Sequence, residues 1–178
     1  DLFSSSWSAS TQVHEMGGKS WHGIVRDGKS FLYFLNKSDQ RIYCTEIGGI
    51  PEAITPIVPA TEIHRYAEMI SVGGEIWCIR ETHIAGVVTR AIVAIGTNEI
   101  RVIESSSHFY SHLRPSEDES QLVWVCWEHP QMPWDGTEIK VAEISAGTLK
   151  NIRVVAGGVN ESCLGPEWGN DGLLYYIS

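Results

Sequence analysis

The chain has 178 residues, 43% hydrophobic and 20% charged, which suits one globular domain or a segment of a larger protein. Its 13 basic and 22 acidic side chains give a net charge of −9 at pH 7, which disfavours nucleic-acid binding because phosphate backbones are also negative. The apolar stretches are too short to cross a bilayer, and Asp1 begins no secretory signal, so neither a membrane nor a nucleic acid is an expected partner.

The cysteines Cys44, Cys78, Cys126 and Cys163 lie far apart. They form no CxxC pair, which excludes a zinc ribbon or a dithiol redox motif. Three of them fall in apolar, strand-like runs, and we expect buried free thiols in a reducing compartment. The prediction is therefore a cytoplasmic protein without a metal ion or cofactor.

Strand patterns follow one another along the whole chain. β-Branched and aromatic residues recur with period two, and no window of helical length shows a 3.6-residue period, so the predicted fold class is all-β. A connection over residues 1–20 precedes the strands. The predicted strands are Trp21–Val25, Phe31–Leu35, Arg41–Ile47 and a short one near Ala53; Tyr66–Val72, Glu75–Glu81, Arg90–Ile95 and Ile100–Glu104; Phe109–Arg114, Gln121–Trp127, Thr137–Ile144 and Ile152–Val155; then Cys163–Trp168 and Leu173–Ile177.

These strands fall into repeats. A tight-turn signal precedes an aromatic-bearing strand at Asp27-Gly28, Gly73-Gly74, Asp118-Glu119 and Asp171-Gly172, at intervals of 46, 45 and 53 residues. Intervals of this length with four short strands each are typical of β-propeller blades. The predicted blades span 21–56, 66–104 and 109–155, and 163–178 begins another. Because each blade packs between two neighbours, we expect about three and a half blades of a larger propeller.

The longest interval contains an unusual loop between the second and third strands of its blade, from Trp127 to Gly136 (WEHPQMPWDG). An ordinary hairpin needs two to five polar residues here, whereas this loop contains two prolines and begins at one tryptophan and includes another. A rigid, aromatic and charged insertion on a propeller rim is the best functional candidate in the chain. The alternative that Trp127 and Trp134 only cap the core stays open.

The segment Gly23–Ser30 matches the phosphate-binding pattern G-x-x-x-x-G-K-S. That chemistry needs a loop that opens a helix, so that backbone amides face the phosphate. The next residues, Phe31–Leu35, are a predicted strand, and Asp27 would add a negative charge to the phosphate site. A hairpin turn is therefore the preferred interpretation.

His108 and His112 have the spacing that would place two metal ligands on one helix face. Their segment is a predicted strand, in which this spacing separates them by about 13 Å. No carboxylate-rich cluster accompanies them, so we interpret both as surface or rim histidines.

The long loop and the strand after it resemble a known family. The segment from Trp124 to Ile144 (WVCWEHPQMPWDGTEIKVAEI) is similar to the W-D-H-P-N-M-P-W-D-G-T-E stretch of S9 serine peptidases, the prolyl oligopeptidase family, especially its dipeptidyl aminopeptidase and acylaminoacyl-peptidase members. Shorter matches extend along most of the chain: VHEMGG at 13–18, DQRIY at 39–43, RYAE at 65–68, AGG at 156–158, ES at 161–162 and PEWGNDG at 166–172. Three departures from the family pattern are Met16 for Tyr, Glu128 for Asp and Gln131 for Asn.

The resemblance implies a peptidase whose catalytic part lies outside these 178 residues. In S9 peptidases a propeller covers an α/β-hydrolase domain that follows it in the chain and carries the Ser-Asp-His triad. No G-x-S-x-G nucleophile motif occurs here, so no catalytic residue is predicted in this chain. The implied partners are a downstream α/β-hydrolase domain of the same polypeptide and a peptide or aminoacyl substrate.

The resemblance also implies a role for the propeller, which would restrict access to the catalytic cavity and help to position the free N-terminus of short peptides or aminoacyl amides. A carboxylate can hold an α-ammonium group by a charge-assisted hydrogen bond. Glu128 and Glu15 are the first candidates and Asp135 the third, with His129 and Trp134 as further substrate contacts. The alternative is a stand-alone propeller that acts as a protein-interaction module without catalysis.

Overall fold

The computed structural model describes residues 7–15, 17–97 and 99–178. Within these ranges it contains fourteen β-strands, one short 3₁₀ turn at Val13–Glu15 and no α-helix. No helix of the described chain could span a membrane. Part of the predicted connection (residues 1–6) and Met16 of the VHEMGG motif lie outside the described residues.

The strands form three four-stranded antiparallel sheets and one two-stranded sheet, each in chain order, so the predicted β-propeller architecture is confirmed. From the second sheet onward, the first strand of each sheet contacts the first strand of the preceding sheet. The bounds are β1 Trp21–Arg26, β2 Lys29–Leu35, β3 Ile42–Glu46 and β4 Glu52–Ala53; β5 Glu62–Val72, β6 Glu75–Ile84, β7 Val87–Ile95 and β8 Ile100–Glu104; β9 Phe109–Pro115, β10 Gln121–Trp127, β11 Glu138–Ser145 and β12 Thr148–Gly157; β13 Leu164–Trp168 and β14 Leu174–Ile177.

Three apolar layers lie between successive sheets, because alternate residues of each strand face the blades on either side. Trp77 of the second blade and Trp124 of the third are fully buried in the layer between those blades. The second strands of the second and third blades are buried on both faces, which explains near-continuous apolar runs such as Leu122–Cys126.

The second blade extends further than the sequence pattern predicts. β5 begins at Glu62 and β6 ends at Ile84, where the prediction placed these limits at Tyr66 and Glu81. The pairing continues to a turn at Ala85 and Gly86, both at positive φ. The extra residues are mostly polar or exposed, so an alternation test that relies on buried positions misses them.

The structure supports the preferred interpretations of the two motif-like segments. Residues 23–30 form the β1–β2 hairpin, with Asp27 and Gly28 at positive φ in its turn. His112 lies in β9 and His108 precedes that strand. All four cysteines are free, three of them buried and Cys44 half-buried.

Candidate functional site

The residues before β1 are fastened across the blades by side chains of the short family-like motifs. We call residues 11–15 and 17–18 the leading segment. The N–H of Gln12 donates to Oε1 of Gln40 (2.9 Å), and Arg65 donates to the carbonyl of Gln12 (3.1 Å). The hydroxyl of Thr11 donates to the carbonyl of Tyr66 (2.5 Å). The DQRIY and RYAE motifs therefore hold the leading segment in place.

The leading segment carries an imidazole into an aromatic cluster, which consists of His14, Phe109, Trp127 and His129. Phe109 and Trp127 stack with ring centroids 5.1 Å apart and planes 5° from parallel. The His14 ring meets both edge-on, at 5.4 and 5.6 Å. His129 lies edge-on to Phe109 at 4.8 Å. His14 and Glu15 both have positive φ, and this turn directs the chain toward the cluster.

A buried carboxylate lies next to this cluster. The Glu81 side chain is only 1% exposed, and its oxygens contact Arg65 (3.1 Å), Arg90 (2.7 Å) and His83 (2.8 Å). The Arg90 guanidinium also lies 4.4 Å from the centroid of the Phe109 ring. We call Glu81, Arg65, Arg90 and His83 the ion-pair cluster, and Arg90 connects it to the aromatic cluster.

Electrostatics at these clusters follow from burial and charge. Burial would raise the pKa of Glu81, but hydrogen bonds from His83 and the His14 N–H, with the charge of Arg90, outweigh it and lower that pKa. Burial, helped by Arg90, lowers the pKa of His14 to about 4 against an opposing effect of Glu81. His14 is therefore neutral at pH 7, and its buried Nε2 has no hydrogen-bond partner among the described residues.

The long loop is braced against the connection between β12 and β13. Gln131 donates to the carbonyl of Val159 (2.9 Å), and Ser162 donates to the carbonyl of Pro133 (2.7 Å). The buried hydroxyl of Thr137 donates to the carbonyl of Cys163 (2.6 Å) and accepts from its N–H (2.7 Å). The middle and the C-terminal end of the loop are thus held against this connection.

Glycines in the same region allow the close approach of the two backbones. A Cβ on Gly136 would lie 2.6 Å from the carbonyl oxygen of Gly158, and one on Gly157 would lie 2.0 Å from that of Thr137. Neither position has room for a side chain. The AGG and ES motifs are therefore part of the support for the loop.

The structure brings three of the five candidate residues to the aromatic cluster. Glu15 follows His14, while Glu128 and His129 follow Trp127. The Glu128 side chain is 47% exposed; its Oε2 contacts Nδ1 of His108 and accepts from the His108 N–H (3.1 Å). The Glu15 side chain is 80% exposed and pairs with Arg65 at 2.6 Å.

The other two candidates lie in the second half of the loop. Asp135 accepts a hydrogen bond from the Met132 N–H (3.0 Å), so its carboxylate stabilises the turn. Trp134 is 65% exposed, and the alternative that it caps the core is wrong for this residue. Trp127 is buried, as that alternative expects. That these five candidate residues bind substrate is still a prediction.

The ion-pair cluster was not predicted from the sequence. Arg65 appeared only inside a motif, and Glu81 and Arg90 appeared only as strand ends. The sequence does contain a signal for it. Glu81 comes two residues after the apolar run Ile76–Ile79, so the alternation of a strand places it on the same buried face as Ile79. A charge at such a position requires partners.

A cavity of about 280 Å³ lies beside the aromatic cluster. Residues from the leading segment, three blades and the long loop line it, including His14, Tyr110, Trp127, Pro133 and Leu164. Within the described part of the chain, no group of three or more His, Cys, Asp or Glu side chains could hold a metal ion. The site therefore offers exposed carboxylates, aromatic faces and a small apolar cavity.

Comparison with solved structures identifies the same architecture in peptidases. The chain matches a puromycin-hydrolyzing peptidase of Mycobacterium tuberculosis with 37% identity and a TM-score of 0.89, over 99% of this chain and 30% of that protein. A puromycin hydrolase matches with 30% identity and a TM-score of 0.90, over 98% of this chain and 30% of its own. The chain belongs to the S9 peptidase family.

This S9 chain spans about a third of the length of those peptidases and corresponds to their propeller portion. TolB of Acinetobacter baumannii matches with 15% identity and a TM-score of 0.51, over 88% of this chain and 37% of TolB, which supports the propeller fold alone. No family model and no curated protein sequence matches the chain.

Proposed function

We propose that this chain is the substrate-gating propeller of a serine exopeptidase and that it positions the free N-terminus of short peptides or aminoacyl amides. The proposal rests on the relationship to puromycin-hydrolyzing peptidases and on one structural observation. That observation is a pair of exposed carboxylates, Glu128 and Glu15, that flank the rigid contact between His14 and Trp127.

Charge favours Glu128 over Glu15 as the ammonium ligand. Glu15 and Glu81 share Arg65, and Glu81 also has Arg90, so two carboxylates face two guanidinium groups. Glu128 faces an imidazole and no arginine or lysine, and its Oε1 has no partner among the described residues. Its negative charge is thus available to an incoming ammonium group.

The neighbouring groups suit the remainder of a small substrate. The exposed His129 and the half-buried Phe109 offer aromatic surface next to Glu128, and the buried Trp127 stacks against Phe109 from behind. The bracing of the loop keeps this surface in place before substrate binds. A preformed site avoids the cost of ordering a mobile loop on binding. The parent activity that we propose is hydrolysis by a downstream α/β-hydrolase domain.

Glu128→Gln in the full-length enzyme tests the assignment, because it keeps the size of the side chain and removes its charge. We expect kcat/KM for substrates with a free N-terminus to fall roughly 10–150-fold, which corresponds to about 1.5–3 kcal/mol of transition-state stabilisation. The kcat/KM for N-blocked substrates should change little. Glu117→Gln, an exposed carboxylate in the β9–β10 turn, is the control. Equal losses on both substrate classes, together with a lower melting temperature, would make Glu128 a structural residue.

A further inference from the structure

The face of the second blade that looks toward the first blade carries polar groups without partners. The side chain of Arg80 in β6 forms no hydrogen bond or ion pair with any described residue, and its Nε is buried. Tyr66 lies opposite Arg80 in the β5–β6 register and is 1% exposed, and its buried hydroxyl also has no partner in the described ranges. Buried polar groups in proteins are normally satisfied, so two together indicate a ligand position.

These groups border a groove between the first and second blades. Two adjacent cavities of about 510 and 490 Å³ share Arg41, Pro56 and His64; Arg80 lines the first and Tyr66 the second. The far wall of the second cavity is apolar, formed by Pro56, Ile57, Val58 and Ile63. Ile57 is 82% exposed, so the groove opens to solvent beside this wall.

Arg80 lacks a partner although three carboxylates line the same groove. Glu62 pairs with Nε2 of His64 at 3.3 Å, and Asp39 accepts from the Tyr43 hydroxyl at 2.7 Å. Glu99 lies 3.7 Å from Arg101. Arg41, which lines both cavities, donates its guanidinium to the carbonyl of Thr55. Arg80 is thus the guanidinium of this groove that has neither a carboxylate nor a carbonyl partner among the described residues.

His64 adds a hydrogen-bond acceptor to the two donors. Burial, followed by the charge of Arg80, lowers the pKa of His64, so the ring is neutral at pH 7. With Nε2 donating to Glu62, the buried Nδ1 carries no proton and has no partner among the described residues. The groove therefore presents a guanidinium and a hydroxyl as donors, one imidazole acceptor and an apolar wall.

We propose that this groove binds the C-terminal residue of a peptide, with the carboxylate on Arg80 and Tyr66, the amide N–H on His64 Nδ1 and an aliphatic side chain on the Pro56–Ile63 wall. A monocarboxylate fits one free guanidinium and one hydroxyl. The carboxylates of Asp39, Glu62 and Glu99 disfavour a phosphate dianion. The groove lies on the opposite face of the second sheet from the ion-pair cluster.

Isothermal titration calorimetry on the full-length protein tests the proposal with N-acetyl-leucine, whose blocked amine cannot use an ammonium site. We expect saturable, millimolar binding of the acid, no binding of N-acetyl-leucinamide and weaker binding of 4-methylpentanoate, which lacks the amide N–H. Arg80→Gln should weaken binding about tenfold or more. Arg153→Gln, which removes an exposed charge on β12, should leave it unchanged.

Tyr66→Phe keeps the proposal testable if Arg80→Gln fails to fold. Loss of a buried hydroxyl without a partner does not lower stability, so this variant should melt at or above the wild-type temperature while binding N-acetyl-leucine several-fold more weakly. Four results would each overturn the proposal. They are unchanged binding in Tyr66→Phe, equal binding of the acid and the amide, absence of saturable binding, and binding of inorganic phosphate as tight as that of N-acetyl-leucine.

Discussion

The backbone N–H of His14 donates a 3.0 Å hydrogen bond to Oε2 of Glu81, 67 residues later in the chain. This bond joins the leading segment to the ion-pair cluster. Because the His14 ring packs on Phe109 and Trp127, the same residue also contacts the third blade. The carboxylate candidates Glu15 and Glu128 directly follow His14 and Trp127, two members of a network in which Glu81 is the central acceptor.

Glu81→Gln tests that network. Removal of the buried charge leaves Arg65 and Arg90 without their common partner, so we expect a loss of about 3–5 kcal/mol in the free energy of unfolding, measured by urea titration. Glu46→Gln, which breaks the exposed pair with Lys29, should cost less than about 1 kcal/mol. Similar small losses in both variants would show that Glu81 contributes little.

His14 predicts a dependence of stability on pH. Its pKa is about 4 in the folded chain and near 6.5 when unfolded, so the unfolded state binds more protons between these values. The contribution of His14 to the free energy of unfolding is fully present above pH 6.5 and is lost as the pH decreases toward 4. We expect His14 to account for a decrease of about 2 kcal/mol in the free energy of unfolding between pH 7 and pH 5.

His14→Phe keeps an aromatic ring in the cluster and removes the titrating group. The measurement is the difference in unfolding free energy between pH 7 and pH 5, which should become smaller in the variant. Other half-buried histidines with lowered pKa values, His22, His64 and His112, keep part of the dependence in both proteins. An identical pH dependence in the variant would contradict the assignment.

Gly157 and Gly158 form a matched pair that tests the support of the loop. Gly157 has φ +86° and no room for a Cβ beside the Thr137 carbonyl, whereas a Cβ on Gly158 would meet no atom within 4 Å. Gly157→Ala should therefore cost more than about 2 kcal/mol of stability, and Gly158→Ala should stay within about 0.5 kcal/mol of wild type. Thermal melting compares the two, and equal losses would refute this account.

Thr137→Val removes both hydrogen bonds that join Thr137, the residue directly after the loop, to Cys163. It leaves a buried N–H and a buried carbonyl unsatisfied, so we expect a loss of about 1–3 kcal/mol and faster amide exchange in residues 128–136. Thr148→Val at an exposed position of β12 is the control. Unchanged exchange in the loop would show that its position does not depend on Thr137.

The sequence by itself determined the propeller fold and the position of the unusual loop. Strands in a propeller are short and local, and their partners are their neighbours in the chain, so the period-two alternation and the tight turns at Asp27-Gly28 and Gly73-Gly74 suffice to order them. The length of the β10–β11 connection marked the Glu128 loop for the same local reason.

Only the tertiary structure decided which charges act together. Glu81 obtains its partners from residues 14, 65 and 90, and the loop obtains its support from Ser162 and Gly157, which lie on other strands or connections. No local pattern records such contacts, because they arise when separate blades and the leading segment pack together. Tyr66 and Arg80 look like ordinary strand residues in the sequence. Only the packing of the first two blades buries the Tyr66 hydroxyl and the Arg80 Nε without a partner among the described residues.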